Sequence, residues 1–503
     1  MISYKTSDAV LAACALVASF LFWRWGVWGG FNLGFALSYG LFFALVTAFA
    51  ARKFQRSLKW NHALCGLTAL GLAAGFAIFD AAPMFRFVCF AAIVCLTTWY
   101  VGGLYQCAKY NEGSARTLFD TLLMLVVYPF RHLAASQKTL FGGREDRRSR
   151  VGLVIAGVAA AVPVLLIATL LLSSGDAAFE AVVRRIPSLL GESVPQIMLA
   201  AIFFFPLYGL LFCLHNDLER HTGAPRDKTR KSRLEPVLAA SFLGALSALY
   251  AFYMLTQLAY FFSPFGGLLP EGFTLAQYAR RGFFELCVLA AINFLLVMLA
   301  AAVVRRREDG KLPKSVFAAC QFICGFTLLL IASAQGKMVL YFGELGLTRL
   351  RLMVSLFILL LALAFVLLIV RLCRQSFAYM KIMVAASCAL LLCMTFADVD
   401  RVVMRHNIWA YDTGRIERLD LQAFWQLGEA RVPVLVELAR SDNEHLRAQA
   451  LEILAAHWWP EEGMPRPGLA RWNLTRQQAN TAMASLTEDE AGQLEKFRAS
   501  WLW

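Results

Sequence analysis

The chain has 503 residues, 59% apolar and only 16% charged, with a mean hydropathy of +0.59; soluble domains are near half apolar and a quarter charged. It therefore reads as a multi-spanning membrane protein. A disulfide scaffold and a zinc module are excluded, because the 12 Cys and 7 His do not cluster at the required spacing, and an acidic solvating protein is excluded by the scarcity of acids, 34 Asp+Glu against 48 Lys+Arg. The formal charge of +14 does not point to nucleic acid either: residues 1–396 hold 36 Lys+Arg against 18 Asp+Glu, and residues 397–503 hold 12 against 16. The positive excess sits in short clusters between apolar runs, where loop charge sets orientation.

Crossing roughly 30 Å of hydrocarbon takes about 20 helical residues. Eleven runs qualify: 8–23, 29–50, 62–80, 86–106, 151–173, 195–214, 236–262, 282–304, 316–334, 352–370 and 380–397. The first is short and ends in Trp23, Arg24 and Trp25, an interfacial signature, so it reads as one arm of a tight hairpin with the second. Leu11, Ala12, Ala13 and Cys14 resemble a lipoprotein cleavage box, but the apolar stretch follows that box instead of preceding it. Neither lipidation nor a cleaved signal peptide is expected. The run Thr117–Phe130 contains Asp120 and Pro129 and is too short to span; an interfacial or re-entrant helix is expected there. Asp176–Leu190 reads as a short amphipathic helix with Arg184 and Arg185 opposite an apolar face.

With the N-terminus inside, the inner segments carry 27 Lys+Arg and the outer ones 9. This asymmetry predicts a cytoplasmic N-terminus and, with an odd number of spans, an extracytoplasmic tail, in the periplasm if the cell is Gram-negative. The expected organisation is a four-span unit at 1–106, a cytoplasmic segment at 107–150, a seven-span unit at 151–397 and a helical tail at 398–503. Within the tail, residues 421–458 carry apolar residues at helical spacing. Pro433 opens one helix, and Ser441, Asp442 and Asn443 break it before the next. This is one HEAT-type helix pair, and a single pair is not a solenoid. It serves either as a helical cap on the membrane face or as a partner-binding surface.

Catalytic signatures are absent: there is no HExxH, GxSxG, GxxxxGK[ST] or strand-borne GxGxxG. His62, His132, His215 and His221 fall at predicted cytoplasmic edges and read as solvated or headgroup-facing. Cys320 with Cys324, and Cys388 with Cys393, read as small packing residues, with no His or carboxylate nearby to complete a metal site. No cofactor, no metal and no catalytic residue is expected.

Polar residues concentrate at the outer ends of the last five spans. Tyr278, Arg280, Arg281 and Glu285 lead into the eighth; Arg281 and Glu285 are one helical turn apart and can pair. Lys337, Tyr341 and Glu344 end the ninth, Arg349 and Arg351 open the tenth, and Asp398 and Asp400 follow the eleventh. Five cations, Arg280, Arg281, Lys337, Arg349 and Arg351, supply 5 of the 9 outer charges. Converging with Tyr278 and Tyr341 as walls, they would form an anion pocket suited to a phosphate-bearing lipid or envelope molecule. The alternative is that they anchor helix ends or pair with Glu285, Glu344, Asp398 and Asp400.

The strings YARRGFFEL, SAQGKMVLYFGELGLTRLR and NIWAYDTGRIERLDL resemble a bacterial polytopic membrane family catalogued as domain of unknown function 4173, with a close relative numbered 4153. The resemblance is specific over about 280–425. It implies a multi-span inner-membrane fold with an outer C-terminal segment and implies no activity.

Three functions remain open. A non-enzymatic envelope sensor or accessory subunit leads. A transporter or lipid-handling permease would need deep polar residues, which are few (Gln257, Asn293, Gln321), and internal repeats, which are not evident. An intramembrane enzyme would need a poised carboxylate or His. The partners expected are the lipid bilayer, an anionic lipid or envelope molecule and a membrane partner protein, with no nucleic acid.

Overall fold

The computed structural model describes residues 6–53, 59–79, 83–105, 123–131, 193–216, 234–256, 283–374, 376–416, 427–457 and 468–501, with isolated positions between them. Among these residues the chain is all-α, and the protein is a polytopic helical membrane protein. Among the described residues, ten helices are long and apolar enough to cross a membrane. In chain order the long membrane helices are α1 (Thr6–Leu21, continued by a π-helical turn, Phe22–Val27), α2 (Leu33–Lys53), α3 (Trp60–Ile78), α4 (Pro83–Leu104), α5 (Ser193–His215), α6 (Pro236–Thr256), α7 (Phe283–Val303), α8 (Lys314–Leu345), α9 (Arg349–Cys373) and α10 (Tyr379–Phe396). They correspond to ten of the eleven apolar runs. The remaining run, 151–173, and the expected 176–190 helix lie outside the continuously described residues.

Contacts between helix ends sort them onto two faces. Arg24, at the end of α1, donates to Gln196 at the start of α5 (2.7 Å), and Arg86, at the start of α4, donates to Gly30 O before α2 (3.3 Å). On the opposite face Asn216, after α5, donates to Asp8 at the start of α1 (3.3 Å). There too Leu234, ahead of α6, exchanges backbone hydrogen bonds with Val303 and Arg305 at the end of α7. The C-terminal residues pack on the first face, hereafter the cap face.

Helices α1, α2 and α5 share one buried cluster around Tyr208 and Phe212, which the short stretch Leu123–Arg131 joins through Met124 and Tyr128. Helices α6 to α9 form a second cluster, and α10 packs on α3 between the two. In hydrocarbon, apolar burial does not hold helices together, so packing and interhelical hydrogen bonds must do so. One such ladder crosses three helices: Tyr250 on α6 donates to Asn293 on α7 (2.7 Å), whose amide donates to Thr327 on α8 (2.9 Å).

Two expectations are corrected. His62 and His215 are buried and do not face headgroups. His62 lies 3.1 Å from Trp99 O, and its ring occupies the space left by Gly103, where any Cβ would overlap it. The ninth span was expected over 316–334, but α8 continues through Gly336 and Gly343 to Leu345. Its 32 residues extend about 48 Å, well beyond the hydrocarbon thickness. A helix already propagating tolerates isolated Gly at about 1 kcal/mol each, so these residues do not end it.

Beyond the membrane helices, α11 (Val399–Asp412), α12 (Arg431–Ala439), α13 (Glu444–His457), a 3-10 turn (Leu469–Arg471), α14 (Leu474–Ala484) and α15 (Glu488–Trp501) form a cap. Its core gathers Leu435, Leu438, Ala450, Leu451, Leu454 and Ala479. Asn443 caps α13 by accepting from His445 N–H (3.1 Å) and Leu446 N–H (3.3 Å), so the Ser441–Asn443 break becomes the start of the second helix.

Candidate functional site

The turn between α8 and α9 is where the membrane helices and the cap are joined. Gly346, at φ +72°, takes a left-handed conformation that side chains disfavour and so ends α8. Thr348 then caps α9 by accepting from Arg351 N–H (3.3 Å). Arg351, in the first turn of α9, bends back to the α8 terminus. It donates to Leu345 O (3.0 Å) and Gly346 O and lies over the Tyr341 ring at 4.0 Å. A guanidinium there satisfies carbonyls left open at the helix end and opposes its negative dipole end.

Arg349 reaches a different partner. It grips Asp400 on α11 in a two-pronged ion pair, with Nε to Oδ1 at 2.6 Å and Nη2 to Oδ2. Asp400 is buried, and its Oδ2 also accepts from Gly428 N–H in the cap (3.1 Å). Two turns further along α11, Asn407 accepts from Leu347 N–H (2.7 Å) and donates to Leu347 O (2.8 Å). The turn is therefore clamped by Asp400 and Asn407 together, and the strings GLTRLR and NIWAYD meet in space.

Asp398 sits at φ +46° ahead of α11, caps it through Arg401 N–H (3.4 Å) and lies 3.2 Å from the Arg401 Nε without an aligned hydrogen bond. Burial raises the Asp398 carboxyl above its ordinary value, outweighing the lowering by Arg401. Arg401 also donates to Gln478 on α14 (2.7 Å). Beneath the clamp a mixed cleft is lined by Arg349, Asp398, Asp400, Thr395, Cys89 and Phe76, among others.

A second set of contacts docks the cap on the hairpin side. Asn473 donates to Phe76 O (3.1 Å) and Asn32 Oδ1 (3.4 Å), Thr475 donates to Ile78 O (3.0 Å), and Leu33 N–H donates to Trp472 O (3.2 Å).

Of the anion-pocket candidates, Tyr278, Arg280 and Arg281 lie outside the described residues. Arg349 and Arg351 face different protein partners. Lys337 is half-buried on α8, and Glu285 and Glu344 are exposed. Among the described residues Glu285 has no ion pair; its expected partner, Arg281, is not among them. Gln257 is likewise outside, and Gln321 donates to Cys373 Sγ (3.3 Å). Cys320, Cys324, Cys388 and Cys393 are free thiols, and among the described residues no group of three or more His, Cys, Asp or Glu is placed to hold a metal.

Sequence reasoning missed three anchors. Asn407 and Asn473 carry no sequence signal, since a lone Asn in a polar tail has no spacing signature. Asp8 was legible as an acid in the first turn of an apolar run, and it is fully buried.

The family model described as "Domain of unknown function (DUF4153)" matches residues 66–438. The chain belongs to this family. Of the two family numbers suggested by the strings, the match carries 4153 and not 4173. It covers the clamp and stops within α12, so Asn473 and Thr475 lie beyond it. No curated protein and no solved structure matches the chain.

Proposed function

We infer that this protein is a non-enzymatic component of a bacterial inner membrane, a sensor or accessory subunit whose cap lies outside the cytoplasm. The observation that carries this reading is α8. One unbroken 32-residue helix runs from the far-face turn around Gly310 to the cap clamp at Leu347. A sensor or accessory subunit needs such a stiff element between a reading surface and the opposite side of the membrane. The clamp supports it by tying α11 to the turn that ends that helix, through the Leu347–Asn407 hydrogen bonds and the charge-assisted Arg349–Asp400 pair at the start of α9. The deep polar groups favour this reading over transport or catalysis, because Asn293 and Thr327 hydrogen-bond across helices instead of lining a path.

Two measurements test it. Reporter fusions after Asp400 and within 220–232 are expected on opposite sides of the membrane; both cytoplasmic would overturn the orientation. Hydrogen exchange of the full-length protein in nanodiscs is expected to rise in the far-face turn 305–313 when the cap is released by Asp400→Asn with Asn407→Ala. An unchanged far-face turn in a protein whose cap has demonstrably loosened would overturn the coupling.

A further inference from the structure

Asp398 occupies the joint between the last membrane helix and the cap. Ala397 closes α10, and Asp398, at φ +46° and ψ +69°, turns the chain into α11. Most side chains disfavour that left-handed conformation; Asp is tolerated because its short side chain can bond locally, as it does here to Arg401 N–H. The Asp398 side chain is 12% exposed, and its Oδ2 is enclosed without a hydrogen-bond partner. The cleft that it lines is walled by Phe76 and Phe79 of α3, Phe85 and Cys89 of α4 and Thr395 of α10.

The charges near this joint come from several elements. Arg401 lies 3.2 Å from the Asp398 carboxylate and favours its ionised form, while Asp400 opposes it. Arg349 of α9 lines the same cleft but is gripped by Asp400, and Arg431 at the start of α12 acts on Glu429 and Asp400. Among the residues lining the cleft, α3 brings no titratable group and α4 brings the Cys89 thiol. From α14 comes the Gln478 amide, which accepts from Arg401, and His406 of α11 lies against Trp409. Burial outweighs the Arg401 charge and holds the Asp398 carboxyl above its ordinary value. Release of α11 from the ends of α3 and α4 would return this carboxyl to water and to an ordinary value near 3.9.

We propose that Asp398 is a proton-binding switch whose protonation tightens the cap on the membrane helices. A docked carboxyl that holds its proton more strongly than the undocked one makes docking strengthen as pH falls from above the docked value to about 3.9, below which both forms are protonated. Arg401, a third exposed, then keeps Gln478 and water as partners. Naming the proton as the stimulus of a sensor rests on the function inferred above, whereas the proton-linked docking rests on the joint alone.

The test is hydrogen exchange of the full-length protein in nanodiscs, corrected for intrinsic rates, with docking read as protection of α14. The two conditions are pH of about 7.5 and about 5, both above the ordinary carboxylate range. Wild type is expected to gain more than about threefold protection at the lower pH, beyond the scale of an uncoupled surface change. Asp398→Asn keeps a capping acceptor and a tolerance for left-handed backbone but cannot titrate. It is expected to be flat, and at least as protected as wild type at the lower pH. If Asp398→Asn fails to fold, Asp398→Gly accepts the same backbone and is read for its slope in the same way. A flat or falling wild-type profile, or an equal rise in the Asp398 variant, overturns the proposal. A rise in the cap with the far-face turn 305–313 unresponsive upholds the switch and overturns only the coupling across the membrane.

Discussion

Replacing Asp400 by Asn tests whether the cap is held by charge. The carboxylate is 4% exposed and accepts from Arg349 twice and from Gly428 N–H. Asn preserves the volume and one acceptor but turns an NH2 group toward a guanidinium, leaving Arg349 without its counter-charge. Removing one half of a buried pair costs about 3–5 kcal/mol. The Arg349 side chain is 19% exposed and can relax partway toward headgroup water, which reduces the loss to about 2–3 kcal/mol. At about 1.4 kcal/mol per tenfold, the undocked population rises roughly thirty- to 150-fold. Limited proteolysis of the full-length protein in nanodiscs reads that population between α11 and α12, provided reclosing outpaces cleavage. The double variant Asp400→Asn with Arg349→Met is expected to recover much of the loss, because no lone charge remains. Cleavage of Asp400→Asn within about threefold of wild type would refute the argument, since uncoupled surface substitutions give changes of that size.

The Glu490 carboxyl is held down to about 2, first by the hydrogen bond from Arg440 and then by Thr487 N–H. A depressed carboxylate contributes stability that is present above the unfolded value near 4.3 and lost as pH falls through about 2. Protection of α15 in hydrogen exchange, corrected for intrinsic rates, is therefore expected to fall over that window in wild type and to be flat in Glu490→Gln; a flat wild-type profile contradicts it. The pair is near the surface, so the effect is small and shrinks in salt. Asn293→Leu is expected to lower thermal stability in detergent by about 1–2 kcal/mol, because it leaves the Tyr250 hydroxyl without its acceptor between helices. Adding Tyr250→Phe should cost little more, and an Asn293→Leu protein as stable as wild type would remove the ladder from the account.

Membrane helices are legible in a sequence because the hydrocarbon imposes one rule on every residue of a run: backbone groups must bond internally over a fixed thickness. That rule identified the ten described spans and the all-α class from apolar length alone, and strings near 280–425 pointed to a pair of related families of which one matches. Helix breaks were legible where local chemistry dictates them, as at Ser441–Asn443. The end of α8 was not, because Gly336 and Lys337 look like a span boundary while packing and an aligned backbone carry the helix to Gly346.

Partner choice was the part only the tertiary structure decided. Arg349 and Arg351 are two residues apart and chemically identical, yet one crosses to Asp400 and the other folds back over Tyr341. Successive residues on a helix differ by about 100° in direction, and what each meets is set by segments far away in the chain. His62 was misjudged for the same reason, since its burial depends on Gly103. Arg86 and Arg471 line one cleft although they stand nearly four hundred positions apart in the chain. Charge counts report which side of a membrane a residue prefers; only the folded chain determines which cations share a space.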